Sequence, residues 1–131
     1  MRLALHTDYA LRTLLYLGTR NERVTIGDVA GFFGISAAHV AKVVNQLARL
    51  GYVRSVRGAG GGLELARALG EMCVGEVVLA FEGNMHLLEC VGTENVCVVQ
   101  SHCKLRTVLS HAERLQIDYL NSILLSELVP I

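Results

Sequence analysis

The sequence predicts a mainly α fold carrying one small β hairpin and a long C-terminal helix. Three observations predict it. Two short amphipathic helical stretches meet around Gly34, a glycine-rich turn follows between strand-like segments, and an apolar stripe at helical spacing fills the end of the chain. At 131 residues there is room for one domain core, which excludes a multidomain enzyme. Apolar residues make up 52% and charged residues 18%, enough to pack a core and too apolar for a disordered chain.

Helix one is expected over residues 8–18, where Leu11, Leu14, Leu15 and Gly18 recur on one face and Thr7 or Asp8 serves as cap. Thr25 followed by Asp28 has the form of a capping box and opens a short helix with Ile26, Val29, Ala30 and Phe33 on its apolar face, stopped by Gly34. Ser36 caps a third helix whose back is Val40, Val43, Val44, Leu47 and Leu50, ending at Gly51. Its front reads His39, Lys42, Gln46 and Arg49, all able to hydrogen-bond. Two helices joined at a tight turn, the second apolar behind and polar in front, form a helix-turn-helix pattern.

Residues 52–56 have strand composition, residues 57–62 (Arg57-Gly58-Ala59-Gly60-Gly61-Gly62) form a mobile turn, and residues 63–65 return as a second strand. This hairpin is a wing. Arg54 and Arg57 sit where it would reach phosphates or a minor groove, and Gly60 lets the backbone approach closely. The turn matches neither nucleotide-binding glycine motif. The expected DNA-contacting set is therefore Ser36, His39, Lys42, Gln46, Arg49, Arg54, Arg57 and Gly60. Charge agrees with it: residues 1–67 hold nine Lys/Arg against four Asp/Glu, and residues 68–131 hold three against eight. A basic half facing a polyanion and an acidic half facing away follow from that division.

Residues 74–81 suit a short helix on the wing, with Cys73 read as a small buried apolar residue. Residues 83–103 show no period, and a loop of that length in a small domain is usually functional or ligand-organised. Beyond it, Leu105, Val108, Leu109, Ala112, Leu115, Tyr119, Leu120, Ile123 and Leu124 trace a stripe over about 25 residues, roughly 37 Å of helix. That is longer than a domain this small covers alone, so the helix is expected to pack on its twin in a homodimer. The expected division is a winged helix-turn-helix domain at 1–82, a cysteine-bearing loop at 83–103 and a dimerisation helix at 104–131. With no membrane span and no signal-peptide core in the first residues, a cytoplasmic location is the expectation.

The loop holds Cys90, Cys97 and Cys103 in the spacing C-x6-C-x5-C. Gathered thiols of this kind point to metal or redox chemistry more than to disulfides. Structural zinc is disfavoured because no close cysteine pair is present. An iron–sulfur cluster tolerates longer separations, and three thiolates leave one position for a fourth, weaker donor. Cysteines that bind nothing, or that act as a thiol–disulfide switch, remain open readings. No catalytic triad, nucleophile elbow or paired-carboxylate signature is present, so the chain is not read as an enzyme; an iron–sulfur electron-transfer protein is the alternative from a different class.

Taken together, residues 6–12 (His6-Thr7-Asp8-Tyr9-Ala10-Leu11-Arg12), the run from Ser36 to Leu47, the wing glycines and the three cysteines followed by Lys104 and Leu105 resemble a family of dimeric winged-helix regulators. It includes the nitric-oxide-sensing repressors of the NsrR type and the iron–sulfur regulator IscR. IscR-like members carry a His three residues after the third cysteine. Arg106 stands there in this chain, which favours the nitric-oxide-sensing branch over a sensor of iron–sulfur or redox status.

The resemblance implies a repressor of a double-stranded DNA operator whose affinity is controlled by a 4Fe-4S cluster, with 2Fe-2S as the alternative, and nitric oxide as signal. It implies ligation by Cys90, Cys97 and Cys103, with Asp8 of the partner subunit as fourth ligand. Asp8 also has a plain structural reading as a helix cap paired with Arg12. His86 and His102 are rival donors. The chain departs from the family in two places. The six-residue gap between Cys90 and Cys97 is a residue or two longer than the family pattern, and Ala37 and Ala38 replace polar residues at the start of the third helix.

Overall fold

The computed structural model describes residues 2–131. Helix α1 spans Leu5–Arg20, α2 Ile26–Phe33 and α3 Ala37–Arg49; strands β1 (Val53–Val56) and β2 (Gly62–Leu65) form the wing. After a 3-10 turn at Leu69–Glu71 come α4 (Val74–Glu82), the four-residue α5 (Glu89–Gly92), a 3-10 turn at Gln100–His102, α6 (Lys104–Asn121) and a last turn at Leu125–Leu128. The fold class matches the expectation.

Helix α1 starts at Leu5, three residues before its expected start, and neither Thr7 nor Asp8 caps it. The missing acceptor comes from another helix. Glu82, at the end of α4, takes the Ala4 amide on both carboxylate oxygens at 3.3 Å and accepts the Thr7 hydroxyl as well. A carboxylate at a helix N-terminus also meets the positive end of the dipole. His6 reinforces the joint through its Nε2, 2.9 Å from the Phe81 carbonyl.

The Thr25–Asp28 capping box is present in both directions, Gly34 ends α2 in the left-handed region (φ 65°), and Ser36 caps α3. Val40, Val43, Val44 and Leu47 are buried behind α3, whereas Leu50 falls outside the helix and is exposed. They meet Ala10, Leu14 and Leu17 of α1, Val29 of α2, Tyr52, Val53 and Leu63 of the wing, and Val77 and Phe81 of α4 in one apolar core. Burial of such side chains is the main favourable contribution to this fold.

The wing pairs antiparallel from Val53 opposite Leu65 to Val56 opposite Gly62. Val24, just before α2, adds a bridge to Leu63, with amide–carbonyl distances of 3.1 and 2.7 Å. The glycines at the tip are required: Gly58 and Gly60 have φ of 93° and 75°, and a Cβ on Gly61 would stand 2.2 Å from the Val56 carbonyl oxygen.

Two expectations for the second half are corrected. Cys73 is not simply a buried apolar residue: it is the N-cap of α4, its sulfur accepting the Glu76 amide at 3.4 Å. The C-terminal helix stops at Asn121 after 18 residues, roughly 27 Å. Ile123 and Leu124 leave it because the chain turns back: Leu124 bridges Cys73, the Leu125 amide donates to the Met72 carbonyl at 2.9 Å, and the Leu125 side chain is fully buried. Gly75 makes this possible, since a Cβ there would lie 1.9 Å from Asn121 Oδ1 and 2.9 Å from its backbone nitrogen. No helix among the described residues is long and apolar enough to cross a membrane.

Candidate functional site

The polar front of α3 and the tip of the wing lie at the surface of the winged head. Ser36 accepts the His39 amide at 3.3 Å, which fixes the first turn of α3. His39, Lys42, Val43 and Gln46 line, with His6 of α1, a recess of about 250 Å³, so the polar front of the helix is indented rather than flat. The Tyr9 ring meets His39 edge-on, centroids 4.7 Å apart. This contact ties the imidazole of the third helix to the helix that carries Asp8. Arg49 is exposed in the last turn of α3, and Arg57 is exposed at the start of the wing turn.

Arg54 is not a free cation. It lies directly across the ladder from Glu64, with Nε 2.6 Å from Oε1, and Arg23 reaches the other oxygen at 3.1 Å. Hydrogen bonds from Arg54 and then Arg23 hold the Glu64 carboxyl below the ordinary carboxylate range. Arg23 also donates from Nη1 to the Gly60 carbonyl at 3.1 Å, so the wing tip is braced from outside the hairpin. The sequence reading missed Arg23 and Glu64. The Arg54–Glu64 pairing was recoverable from the hairpin register, but Arg23 arrives only through the Val24 bridge.

At its root the wing is fastened to α4 through Glu76. That carboxylate accepts from Tyr52 Oη at 3.0 Å, Arg67 Nη1 at 3.1 Å and the Cys73 amide at 3.2 Å. Burial pushes the Glu76 carboxyl upward, yet the donors from Arg67, Tyr52 and Cys73 outweigh it and the net shift is downward. The Tyr52 phenol is pushed up to about 12, by burial first and then by the Glu76 carboxylate.

The cysteine segment has a different construction. Cys73, Cys90, Cys97 and Cys103 are all free; Cys97 is exposed and Cys90 and Cys103 are half-buried. In a stretch that leaves Val98 99% exposed, the buried residue is the polar Gln100, 5% exposed. Its amide accepts the Val96 N–H at 2.8 Å and donates to the carbonyls of Cys90, at 2.8 Å, and Thr93. Gln100 thereby gathers the residues between Cys90 and Cys97 onto one side chain. Arg106 donates to the Gln100 carbonyl at 3.4 Å and to Glu94 at 3.2 Å. The start of the segment is tied to α6 by His86, whose Nδ1 lies 2.5 Å from Glu113 Oε1. His86 is thus engaged by a carboxylate, while His102 is exposed beside Ser101.

Three free thiols on one segment are a donor set of the right chemistry for an iron–sulfur group. The fold of a single subunit does not draw them together. Among the described residues, no three His, Cys, Asp or Glu side chains form a metal-binding group. Asp8 lies in the first turn of α1, its Oδ1 2.9 Å from Arg12 Nε.

The Rrf2 family model, described as an iron-dependent transcriptional regulator, matches residues 3–130. The chain is 39% identical over 132 residues to the HTH-type transcriptional regulator NsrR of Geobacillus kaustophilus, covering 98% of this chain and 90% of the relative. It is 38% identical over 132 residues to the regulator of the same name from Bacillus licheniformis, covering 98% and 92%. Among solved structures it resembles CymR, the global cysteine regulator of B. subtilis (TM-score 0.81, 19% identity, 98% and 95% covered), and T. potens IscR (TM-score 0.78, 22% identity, 98% and 86% covered). These relatives are regulators and not enzymes, and the chain belongs to the Rrf2 family of transcriptional regulators.

Proposed function

We propose that the chain is a homodimeric repressor that binds an operator through α3 and the wing, and that an iron–sulfur cluster responsive to nitric oxide controls its affinity. The observation that carries the reading is the position of the three free thiols, on the segment joining a winged head to a helix with an unpartnered apolar face. Along α6, Leu105, Val108, Leu115 and Tyr119 are exposed, and with Ala112 they follow the 3-4-3-4 spacing of a helix–helix seam. A second copy packed on that seam gives a two-fold dimer, and two α3 helices then read an inverted repeat with half-sites about one or two helical turns apart. The regulator names of the relatives support the assignment of DNA as partner.

Within this reading Cys90, Cys97 and Cys103 would hold the cluster, and Asp8 of the partner subunit would complete it. When bound, the group supplies an iron position that a small molecule such as nitric oxide attacks. The remainder is done by the chain. Asp8 is paired with Arg12 and Tyr9 beside it rests on His39, so a change at Asp8 on ligation would be felt along α1 at the front of α3. His39, Lys42 and Gln46 face base edges, with Ser36 and Gly60 offering backbone approach, while Arg49, Arg54 and Arg57 meet phosphates or the minor groove.

Anaerobic purification tests the reading. Brown protein containing iron and sulfide, binding an inverted repeat with steep salt dependence and releasing it as nitric oxide bleaches the colour, is the expected result. Colourless, iron-free protein, or bleaching with unchanged DNA affinity, overturns it.

A further inference from the structure

Resting on the reading of the winged head as a duplex-binding module, the geometry points to Glu64 as a specificity-determining residue that occupies two DNA-facing arginines in place of a phosphate. Three observations combine. Glu64 sits between Arg54 and Arg23, each carboxylate oxygen taking one Nε–H, at 2.6 and 3.1 Å. The side chains are layered: Arg54 is 62% and Arg23 44% exposed, whereas Glu64 is 26% exposed. The carboxylate thus lies beneath two guanidiniums that face solvent. Among the described residues Arg54 donates only through Nε, so its outer N–H groups hold no protein acceptor.

Two arginines and one carboxylate carry a net charge of +1 where the arginines alone would carry +2. A phosphate offers the same recognition chemistry as a carboxylate, planar donors meeting an anionic oxygen pair, and adds the release of condensed counterions. Exposed ion pairs are weak, so an oriented phosphate displaces Glu64 readily, while a duplex held loosely does not. Glu64 therefore lowers affinity for duplex of any sequence more than affinity for a site where α3 is seated. Arg23, which no helix-turn-helix pattern marks, becomes a DNA contact of the wing. Its second bond, to the Gly60 carbonyl at 3.1 Å, couples that contact to the position of the wing tip.

The test uses the purified protein and a mixed-sequence duplex of about 30 base pairs, titrated between about 50 and 200 mM salt. Glu64→Gln is expected to tighten binding roughly fivefold and to steepen the slope of log K against log salt by about 1, the signature of one additional phosphate contact. In an Arg23→Gln/Arg54→Gln background the same substitution is expected to have no effect, because Glu64 then has no cation to withhold. Glu64→Ala gives a second variant with the same expectation. Unchanged or weaker binding by both variants overturns the proposal, as does an effect that persists in the double-arginine background, which would mark Glu64 as a general repulsive charge. Flat salt dependence in the unsubstituted protein instead overturns the duplex-binding reading itself.

Discussion

The winged head and the cysteine segment with α6 are built on opposite plans. In the head the buried residues are Leu14, Val29, Val40, Leu47 and their neighbours, and the charged residues lie outside. In the second region the buried residues are Gln100 and Glu113, while Val98, Leu105, Val108, Leu115 and Tyr119 are exposed. A region that buries amide and carboxylate and exposes aliphatic side chains has not satisfied its hydrophobic surface within one subunit. The head covers its apolar residues within the chain; the second region leaves a row of them exposed.

The largest expected effects separate the two directly. Leu14→Ala opens the centre of the head and is expected to cost about 2–5 kcal/mol in a denaturant titration. Leu115 is 58% exposed, so Leu115→Glu is expected to leave far-UV circular dichroism unchanged and, on the proposed homodimer reading, to convert dimer to monomer in sedimentation. An unfolded Leu115→Glu subunit, or an intact dimer, would break the comparison. Next comes the joint between the regions: Gly75→Val forces a side chain against Asn121 and is expected to cost about 1–3 kcal/mol, with partial rescue by Asn121→Ala, since only the side-chain clash is removed.

Gln100→Leu sharpens the contrast from the other side. Three hydrogen bonds of the cysteine segment are lost while the head core is untouched, so cleavage after Glu94 by a glutamate-specific protease is expected to accelerate roughly tenfold, with the global midpoint unmoved. A drop in the global midpoint would show that the segment is part of the head's cooperative unit. Within the head, Arg57→Ala is expected to weaken duplex binding by about 1 kcal/mol and to reduce the salt slope by about 1, measured by fluorescence anisotropy.

The smallest effect is alkaline. Tyr52 is pushed up to about 12, so its phenol favours the folded state while neutral. Its contribution is fully present below the ordinary tyrosine range near 10, and it is lost as pH rises through the folded value. Absorbance at 295 nm is expected to show one of the four tyrosines ionising near 12, and Tyr52→Phe is expected to remove that step.

Local chemistry by itself determined the capping box at Thr25 and Asp28, the stops at Gly34 and Gly51, the cap at Ser36, and the wing, because each rests on residues a few positions apart. Apolar periodicity placed the backs of α2 and α3 for the same reason. The start of α1 was not legible, since its acceptor is Glu82 from the far end of the head. Nor was the end of α6, where the apolar pattern runs on through Ile123 and Leu124 and only the pairing of residues 124–125 with Cys73 and Met72 turns the chain back. The candidate DNA side divides similarly. His39, Lys42, Gln46 and Arg57 follow from helix faces and a turn, whereas Arg23 enters through a bridge between Val24 and Leu63 that no spacing announces. In the cysteine segment the thiols were plain in the sequence, but the residue that gathers the backbone between Cys90 and Cys97 was not. A glutamine after two valines carries no local signal, and only tertiary structure decides that the amide is buried and the valines are left outside.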